Sequence, residues 1–312
     1  NVLTPSSPTV NTISSCTEDR IYTFTYTDCE GNTHDWIYTY VINNVAPTIV
    51  NCPSDQTFCA EASGSYTIPE ITATDDCPGT LDYAYTISGA TTRTGTGTDA
   101  SGIFAEGVST IDWTVTDNCG NVSTCQTIVT IEPLPVVSFS ADNLTGCDPT
   151  MVNFTDESTG NITIWDWEFG DGGISGLEDP SHTYGAGTYS VTLTVTTAAG
   201  CQSTLTMSNY VTISPNPVAA FTPNPAVTTE DDPTITFINQ STGATDYTWS
   251  FGDGSGVVDN TENPVYTYEG NGSFVVTLWV ENQAGCTDST SMTVTIKPTF
   301  TRPADTTIYT DA

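Results

Sequence analysis

Hydrophobic and polar residues alternate with a period of two along much of the chain. In residues 189–195, Tyr, Val, Leu and Val occupy one parity while Ser and Thr occupy the other. The same alternation runs through residues 274–280 and 111–115. This pattern is typical of an antiparallel strand with one face in a core and the other in water.

Proline and glycine clusters interrupt the alternating runs about every eight to twelve residues, the spacing typical of strands in an all-β sandwich. Apolar residues do not recur at the helical period over any useful length. The chain is therefore predicted to be all-β and built of sandwiches.

A long internal repeat occupies the second half of the chain. The stretch PVVSFSADNLTGCDPTMVNFTDESTG, from Pro135, returns as PVAAFTPNPAVTTEDDPTITFINQSTG, from Pro217, and both lead into W-x-F-G-D-G. The offset of about 82 to 85 residues is the size of one small sandwich. The sequence therefore contains two successive copies of one module.

The charge of the chain is strongly one-sided. It has 37 Asp and Glu residues against 4 Lys and Arg residues, a net charge of −33. No basic patch can neutralise a phosphate backbone or an anionic lipid surface, so nucleic-acid binding is excluded as a function. No stretch approaches the ~20 apolar residues of a membrane span, and the first residues do not resemble a signal peptide. Because the chain does not begin with Met, we expect a processed product or a piece of a longer protein.

The cysteines indicate an oxidising compartment. There are ten of them, with no C-x-x-C and only two histidines, a composition that does not suit a zinc site. An even number of cysteines in such a chain is typical of disulfides, so the protein is predicted to be extracellular.

The repeated F-G-D-G could in principle hold chemistry, because Asp171 and Asp253 lie between glycines. Neither copy has a base, a nucleophile or a second carboxylate cluster at matching positions. The aromatic residues before each G-D-G alternate like core residues, and the glycines suit a tight turn. We therefore predict a structural motif, no catalytic residue and no enzyme activity. The motif residues are Trp167, Phe169, Gly170, Asp171, Gly172, Trp249, Phe251, Gly252, Asp253 and Gly254.

The two histidines do not change this prediction. His182 aligns with Tyr266 of the second copy, which indicates packing rather than proton transfer. His34 is predicted in the turn EGNTHDW, beside Trp36, as a surface residue. Two histidines cannot complete a Ser-His-Asp or Cys-His set in both copies.

Over residues 135–297 the motif W-x-F-G-D-G, the turn N/D-P-x-x-x-Y and the strand G-x-Y/F-x-V-x-L-x-V resemble polycystic kidney disease (PKD) domains. These are non-catalytic immunoglobulin-like modules of cell-surface and secreted proteins. Upstream, APTIVNCPSDQTF and TIDWTVTDNCGNVSTCQTIVTI resemble hyaline repeat (HYR) modules. Both chain ends resemble parts of further modules in giant Bacteroidota surface adhesins. Together the pieces are similar to the repeat regions of type IX-secreted adhesins, such as those of gliding motility.

These resemblances imply an elongated rod of tandem immunoglobulin-like β-sandwiches. The predicted segments are 1–45, the C-terminal part of a truncated immunoglobulin-like or HYR-like module; 46–133, a HYR-like module; 134–214 and 215–297, two PKD-like modules; and 298–312, the first strand of a following module.

Calcium is the alternative role for the acidic residues. Several acidic pairs lie near predicted loops, where oxygen ligands could gather between modules. The chain has no D-x-D-x-D-G loop, and acidic surfaces also serve solubility. The expectation is therefore no cofactor, with Ca²⁺ as the alternative. Its candidate ligands are Asp75, Asp76, Asp156, Glu157, Asp231 and Asp232.

The implied topology also bears on the cysteines. In an immunoglobulin-like module the start of strand A and the B–C and F–G loops share one pole, and the A–B turn and the end of strand G share the other. Four cysteines of the HYR-like module then lie at one pole, which pairs Cys52 with Cys125 and Cys77 with Cys119. Cys59 is left over near the other pole.

In the first PKD-like module, Cys147 and Cys201 are predicted at opposite poles, roughly 20 Å apart at ~3.3 Å per residue, whereas a disulfide needs Cα atoms within about 7 Å. The second copy has Cys286 at the position of Cys201 but Glu230 at that of Cys147. The leftover cysteines can meet between modules, as Cys59–Cys201 and Cys147–Cys286, which would clamp the linkers EPLP and SPNP. An intradomain Cys147–Cys201 bond with the other two unpaired is the competing possibility.

Cys16 and Cys29 are not assigned, because they flank a predicted strand that would have to bend to join them. Partners in further sequence are equally compatible. Strand addition between chains, with DTTIY completing the N-terminal half-module of the next copy, is a third possibility, and one longer polypeptide explains the incomplete ends more simply.

These observations predict a stalk, adhesin or filament segment of a bacterial surface, whose partners are further modules, neighbouring copies, or extracellular glycans and surfaces. The alternative is an accessory polysaccharide-binding or spacer region of a secreted hydrolase. Trp279, on an otherwise polar face, could contact a neighbour in a packed filament or bind a sugar ring, although a half-buried aromatic at a sheet edge is the commoner explanation. By resemblance to Bacteroidota proteins, D-S/T-x sites imply O-glycosylation candidates at Ser289 and Thr306.

Overall fold

The structure, a computed structural model, describes residues 9–10, 20–40, 45–75 and 79–299. Within these ranges every regular element is a β-strand, as the alternating pattern predicts, and the strands form immunoglobulin-like sandwiches. The all-β fold class is therefore confirmed. The chain divides into two compact units. One is Asn1–Pro135 with Gly160–Ile162 and Thr196–Ser203, and the other is Val136–Thr159, Thr163–Val195 and Thr204–Ala312.

Three strands near the N-terminus form one antiparallel sheet. They are β1 (Thr9–Val10), β2 (Arg20–Thr27) and β3 (Thr33–Tyr40). The register places Phe24 opposite Trp36 and Tyr22 opposite Tyr38, so aromatic side chains share one face of the sheet.

His34 lies in strand β3, opposite Tyr26, and is exposed. The prediction that His34 belongs to the turn is therefore wrong, although its surface position is as expected. The turn ends at Asn32, because the Asp28 carboxylate accepts hydrogen bonds from the Asn32 backbone N–H at 2.8 Å and from its side-chain amide at 3.0 Å. These bonds close the turn two residues before His34.

The first sandwich follows in the same unit. Its strands are β4 (Thr48–Asn51), β5 (Gln56–Cys59), β6 (Ser65–Tyr66), β7 (Thr72–Thr74), β8 (Asp82–Gly89), β9 (Arg93–Thr96), β10 (Gly102–Ile103), β11 (Gly107–Thr116) and β12 (Val122–Glu132). They form a five-stranded sheet of order β5-β12-β11-β8-β9 and the two-stranded sheets β4-β7 and β6-β10.

The core of the first sandwich is built on Trp113, which is fully buried with its neighbours of the same parity, Ile111 and Val115. Its indole N–H donates to Thr127 Oγ1 at 3.1 Å, and the Thr127 hydroxyl donates to the Pro53 carbonyl at 2.7 Å. This short chain satisfies the buried polar atoms of the tryptophan and of the threonine.

The second and third sandwiches repeat one topology. The second contains β13 (Phe139–Ala141), β14 (Thr145–Cys147), β15 (Thr150–Asp156), β16 (Ile162–Glu168), β17 (Ile174–Ser175), β18 (Ser181–Tyr184), β19 (Gly187–Thr197) and β20 (Gln202–Ser214). The third contains β21 (Phe221–Asn224), β22 (Val227–Thr229), β23 (Thr234–Asn239), β24 (Asp246–Ser250), β25 (Val257–Asp259), β26 (Val265–Thr267), β27 (Gly272–Glu281) and β28 (Thr287–Lys297). The sheets are β13-β15-β18 and β14-β20-β19-β16-β17 in the second, and β21-β23-β26 and β22-β28-β27-β24-β25 in the third.

The cores of these two sandwiches are also equivalent. Trp167 and Trp249 are fully buried, and each indole N–H donates to a backbone carbonyl, that of Leu177 at 2.9 Å and that of Thr261 at 2.8 Å. A conserved geometry of this kind within one chain shows that the repeat encodes a fold, because each sandwich needs its own aromatic core.

Candidate functional site

The first F-G-D-G motif forms a tight turn after strand β16. Gly170 has a φ of +87°, and a Cβ there would lie 2.4 Å from the Ser190 carbonyl oxygen. Asp171 follows, and its carboxylate accepts from the Gly173 N–H at 2.9 Å and lies 2.7 Å from His182 Nε2. The His182 ring stacks on Phe169, with ring centroids 4.3 Å apart.

The second motif repeats this arrangement with a different ring. The Asp253 carboxylate accepts from the Ser255 N–H at 3.0 Å and from the Tyr266 hydroxyl at 2.5 Å. Tyr266 stacks on Phe251 with ring centroids 3.9 Å apart. What the two turns share is an aspartate held by a ring that packs on the motif phenylalanine. A tyrosine can replace the histidine in this role without supplying a base, which favours a structural function for both rings.

Hydrogen bonding sets the protonation of the motif aspartates. Burial raises the pKa of Asp171, but hydrogen bonds from His182 and Gly173 outweigh it, so that the pKa is lowered. Burial likewise raises the pKa of Asp253, and bonds from Ser255 and Tyr266 again lower it overall. Both carboxylates are therefore ionised at neutral pH, which does not suit a general acid.

Each turn is also tied down by a buried tyrosine. The hydroxyls of Tyr184 and Tyr268 donate to the carbonyls of Phe169 and Phe251, both at 3.1 Å. Burial raises the pKa of Tyr184 and of Tyr268, so both phenols remain protonated donors.

We predict that Asp171→Ala lowers the free energy of unfolding of its sandwich by about 1 kcal/mol at pH 7, because the partly exposed carboxylate loses its two hydrogen bonds. A lowered pKa in the folded state means that this contribution is complete above the ordinary aspartate value of about 3.9 and is lost as the pH falls through the folded value. Denaturation curves of the native protein and of the Asp171→Ala variant, at pH 7 and at acid pH, would measure the difference in the free energy of unfolding. The exposed Asp166→Ala is the matched control, and a gap that persists unchanged at pH 2 would contradict this account.

The predicted calcium ligands are engaged by the protein itself. The Asp156 carboxylate accepts from Trp165 Nε1 at 2.7 Å and from the Ser158 N–H at 3.0 Å. Glu157 Oε1 accepts from the Ser140 hydroxyl at 2.7 Å. These bonds engage both carboxylate oxygens of Asp156 and one of Glu157.

The other candidates are dispersed. Asp231 accepts from the Thr299 hydroxyl at 3.3 Å, while the neighbouring Asp232 contributes its backbone to a local turn. Asp75 is half-buried after strand β7, and Asp76 lies outside the described residues. Over the described ranges, no three His, Cys, Asp or Glu side chains come together as a metal-binding group. Calcium binding stays a prediction.

Three disulfides are present between described cysteines. They are Cys52–Cys125, Cys59–Cys201 and Cys147–Cys286, with Cα–Cα distances of 6.3, 5.4 and 5.6 Å. All three are pairings that the sequence predicts, and Cys147 is joined to Cys286 rather than to Cys201. Cys119 is also disulfide-bonded, but Cys77 lies outside the described residues, so the Cys77–Cys119 pairing stays a prediction.

The disulfides Cys59–Cys201 and Cys147–Cys286 join successive sandwiches and are called inter-module bonds here. One end of each lies on a short parallel edge strand. Strand β5 runs parallel to the last strand of its sandwich, β12, with Cys59 opposite Glu132. In the second sandwich β14 runs parallel to β20, with Cys147 opposite Ser214. In the third, β22 runs parallel to β28, and Thr229 occupies the same place, opposite Lys297.

Thr229, and not Glu230, therefore corresponds to Cys147 in the second copy. An alignment on the core phenylalanines Phe154 and Phe237 is shifted by one residue at this point. The second copy has one more residue between Thr229 and Phe237 than the first has between Cys147 and Phe154. Only the pairing with the last strand fixes the correspondence.

The other end of each inter-module bond lies in a five-residue turn between the last two strands of a module, here called the F–G turn. Four such turns have the same hydrogen bonds: the first residue donates its N–H to the fifth carbonyl, and the fourth donates to the first carbonyl. In each, a side-chain oxygen of the first residue accepts from the fifth N–H. The turns are residues 28–32, 117–121, 197–201 and 282–286.

The fifth position of the F–G turn differs among the four turns. It is Asn32 and Asn121 in the first two turns, and Cys201 and Cys286 in the last two. Both cysteines are buried, with at most 2% of their surface exposed. Sequence reasoning did not identify this turn, although G-N in two copies and G-C in the other two is a visible signal.

The remaining predicted positions are partly described. Cys29 is an exposed free thiol, whereas Cys16 lies outside the described residues. Trp279 is 43% exposed on β27, directly opposite Ser289 of β28, which is also exposed. The other glycosylation candidate, Thr306, lies outside the described residues.

Comparison with known families agrees with this geometry. The family model of the PKD domain matches residues 133–213 and 214–297, just over half of the chain. The chain therefore belongs to the PKD domain family. A model of the HYR-like domain with 4 cysteines matches residues 1–42. Disulfide-rich repeats of these families are typical of extracellular adhesive or structural regions.

Solved structures are similar to single modules or to most of the chain. The PKD1 domain from the Vibrio cholerae metalloprotease PrtV is 31% identical over 26% of this chain and 98% of its own, with a TM-score of 0.22. The PKD1 domain of Vibrio anguillarum Epp is 26% identical over 27% of this chain and 96% of its own, with a TM-score of 0.23. A Ca²⁺-stabilized adhesin from an Antarctic bacterium is 16% identical over 90% of this chain and 82% of its own, with a TM-score of 0.38.

In the part of the chain that the structure describes, no helix has the length and apolar character that a bilayer crossing requires.

Proposed function

We propose that this chain is a non-catalytic structural segment of an extracellular protein, a stalk or filament segment of a bacterial surface adhesin. The observation that carries the proposal is the pair of disulfides Cys59–Cys201 and Cys147–Cys286, which join successive modules. A disulfide stabilises a domain of any function, but a bond between successive modules also fixes their spacing. A segment that must hold its modules in a fixed order and spacing gains directly.

Hydrogen bonds around the second linker support this role. The Asn282 side-chain amide, in the F–G turn, donates to the Pro215 carbonyl at 2.9 Å. The Asn216 side-chain amide donates to the Asp148 carbonyl at 2.5 Å, next to Cys147. The linker SPNP is thus hydrogen-bonded to the turn that contains Cys286 and to the residue next to Cys147. Its two prolines restrict the backbone further.

The surface chemistry suits a segment that stays apart from other molecules. The outer face of the second sandwich carries threonine pairs whose hydroxyls bond to each other, Thr192 with Thr206 at 2.9 Å and Thr194 with Thr204 at 2.8 Å. Hydroxyls that satisfy one another, together with a net charge of −33, favour solubility over association.

The proposal extends to the parent protein. We place the segment in a type IX-secreted adhesin at the cell surface, on the support of the four-part sequence resemblance. Ser289, exposed on β28, is the described O-glycosylation candidate in that setting.

Peptide mapping under non-reducing conditions, on protein from its native source, tests the proposal. We expect linked peptides that contain Cys59 with Cys201 and Cys147 with Cys286, and both links should disappear after reduction. A linked peptide of Cys147 with Cys201, with Cys59 and Cys286 as free thiols, would remove the basis for a stapled stalk.

A further inference from the structure

We infer that the disulfides form a continuous covalent path that carries tension across all three sandwiches without passing through most of their folded chain. The path begins at Cys52, crosses to Cys125, follows the chain to Cys147, crosses to Cys286 and ends at Lys297. It deepens the proposed function by assigning how the segment bears load, and it rests on that function only in assuming that the chain is pulled from its ends.

The path is short because each of its two disulfides bypasses a long stretch of sequence. The Cys52–Cys125 bond spans a sequence separation of 73, and the Cys147–Cys286 bond spans 139. The path therefore contains only about 36 residues, namely Cys52, 125–147 and 286–297, whereas the chain from Cys52 to Lys297 contains about 246. Residues inside the two bypassed stretches can unfold without adding length between the ends.

Most of the path is already extended. It follows β12 from Cys125 to its last residue, then β13 and β14, and finally all of β28. About 11 of its residues lie outside strands, and at ~3.6 Å per residue they can supply at most about 40 Å of additional length. Pulling therefore finds most residues of the path already in strands.

The third disulfide, Cys59–Cys201, has a different role. Cys59–Cys201 lies off the shortest path, so its loss leaves the path unchanged. If Cys147–Cys286 is lost, however, the shortest route runs from Cys52 to Cys59, crosses to Cys201 and follows the chain to Lys297, about 105 residues in all. Cys59–Cys201 is then a reserve connection.

The consequence is a tether of nearly constant length. In a tandem array without such bonds, tension unfolds one module after another and each adds its whole chain. Here the modules can lose their folds while the distance between the ends is limited by covalent bonds. Reduction of each disulfide to two thiols, with oxidation of a dithiol reductant to its own disulfide, removes this limit.

Single-molecule force spectroscopy on the full chain, with handles on both ends, tests the inference. For the oxidised chain we expect a total contour length of at most about 370 Å, from the path and the segments outside it at ~3.6 Å per residue. For the chain reduced with dithiothreitol we expect about 1,100 Å, roughly threefold more.

Two paired variants distinguish the path from a general effect of disulfides. Cys147→Ser with Cys286→Ser should lengthen the oxidised chain by about 69 residues, or ~250 Å. Cys59→Ser with Cys201→Ser removes one disulfide as well, yet it should leave the contour length unchanged. The inference is overturned if the oxidised native chain extends by whole modules, or if the second variant lengthens as much as the first.

Peptide mapping of the same samples separates two kinds of failure. If the bonds are present and the oxidised chain still extends beyond about 370 Å, the covalent path is wrong while the stapled stalk stands. If the bonds are absent, the path and the stapling in the proposed function fail together.

Discussion

Replacing Cys147 and Cys286 together by serine is expected to lower the free energy of unfolding of the second and third sandwiches by about 4–5 kcal/mol. The bond closes a loop with a sequence separation of 139, and a crosslink over so long a loop strongly restricts the unfolded chain. Urea denaturation, followed by the fluorescence of the buried Trp167 and Trp249, measures the loss. Removing this bond is the largest change of stability that we predict for this chain.

Cys29→Ser is the matched control, because Cys29 is an exposed free thiol. This substitution should change the free energy of unfolding by less than about 0.5 kcal/mol, as surface substitutions usually do. If the double serine variant unfolds at the same urea concentration as the control, the Cys147–Cys286 bond contributes no stability and the entropic argument fails.

Gly252→Ala is expected to destabilise the third sandwich by about 3–5 kcal/mol. The residue has a φ of +80°, which costs an alanine about 1–2 kcal/mol, and its new Cβ would lie 2.4 Å from the Val275 carbonyl oxygen. That oxygen belongs to the backbone of strand β27 and cannot move alone, so the overlap adds a further penalty. Thermal or urea denaturation of the variant, with hydrogen exchange of β27, would show the loss.

Gly254→Ala separates the two causes. Gly254 has nearly the same backbone conformation, with a φ of +82°, but a Cβ there would meet no atom within 4 Å. Its alanine variant should therefore lose only about 1–2 kcal/mol. Equal losses for both variants would show that the contact with Val275 does not matter, and that backbone conformation alone explains the glycines of F-G-D-G.

The period-two pattern was sufficient to predict the strands and the buried parity. Val191, Leu193 and Val195 are fully buried, as their alternation with threonine predicts. The reason is local: a strand presents alternate side chains to opposite faces, and only one face of each sheet can reach the core. The repeat similarly identified the motif tryptophans as core residues, because a duplicated aromatic pattern with variable surroundings is typical of a scaffold.

Details that depend on pairing between strands could not be predicted in this way. The residues EGNT favour a turn that would include His34, whereas the hydrogen bonds of Asp28 end the turn at Asn32. The correspondence of Thr229 with Cys147 requires the register of β22 against β28. A one-residue shift in an alignment has no penalty in the sequence, but in a sheet it exchanges the two faces.

The sequence by itself determined the all-β class, the repeat, the motif cores and a short set of possible cysteine partners. Each of these follows from local spacing, since strand period, turn residues and polarity act over a few positions along the chain. Only the tertiary structure decided that Asp171 and Asp253 each hold an aromatic ring, and that Cys201 and Cys286 occupy the fifth position of two equivalent turns. Those facts depend on groups that are distant along the chain and meet only when the sheets are paired, so their physical cause is the packing of strands on one another.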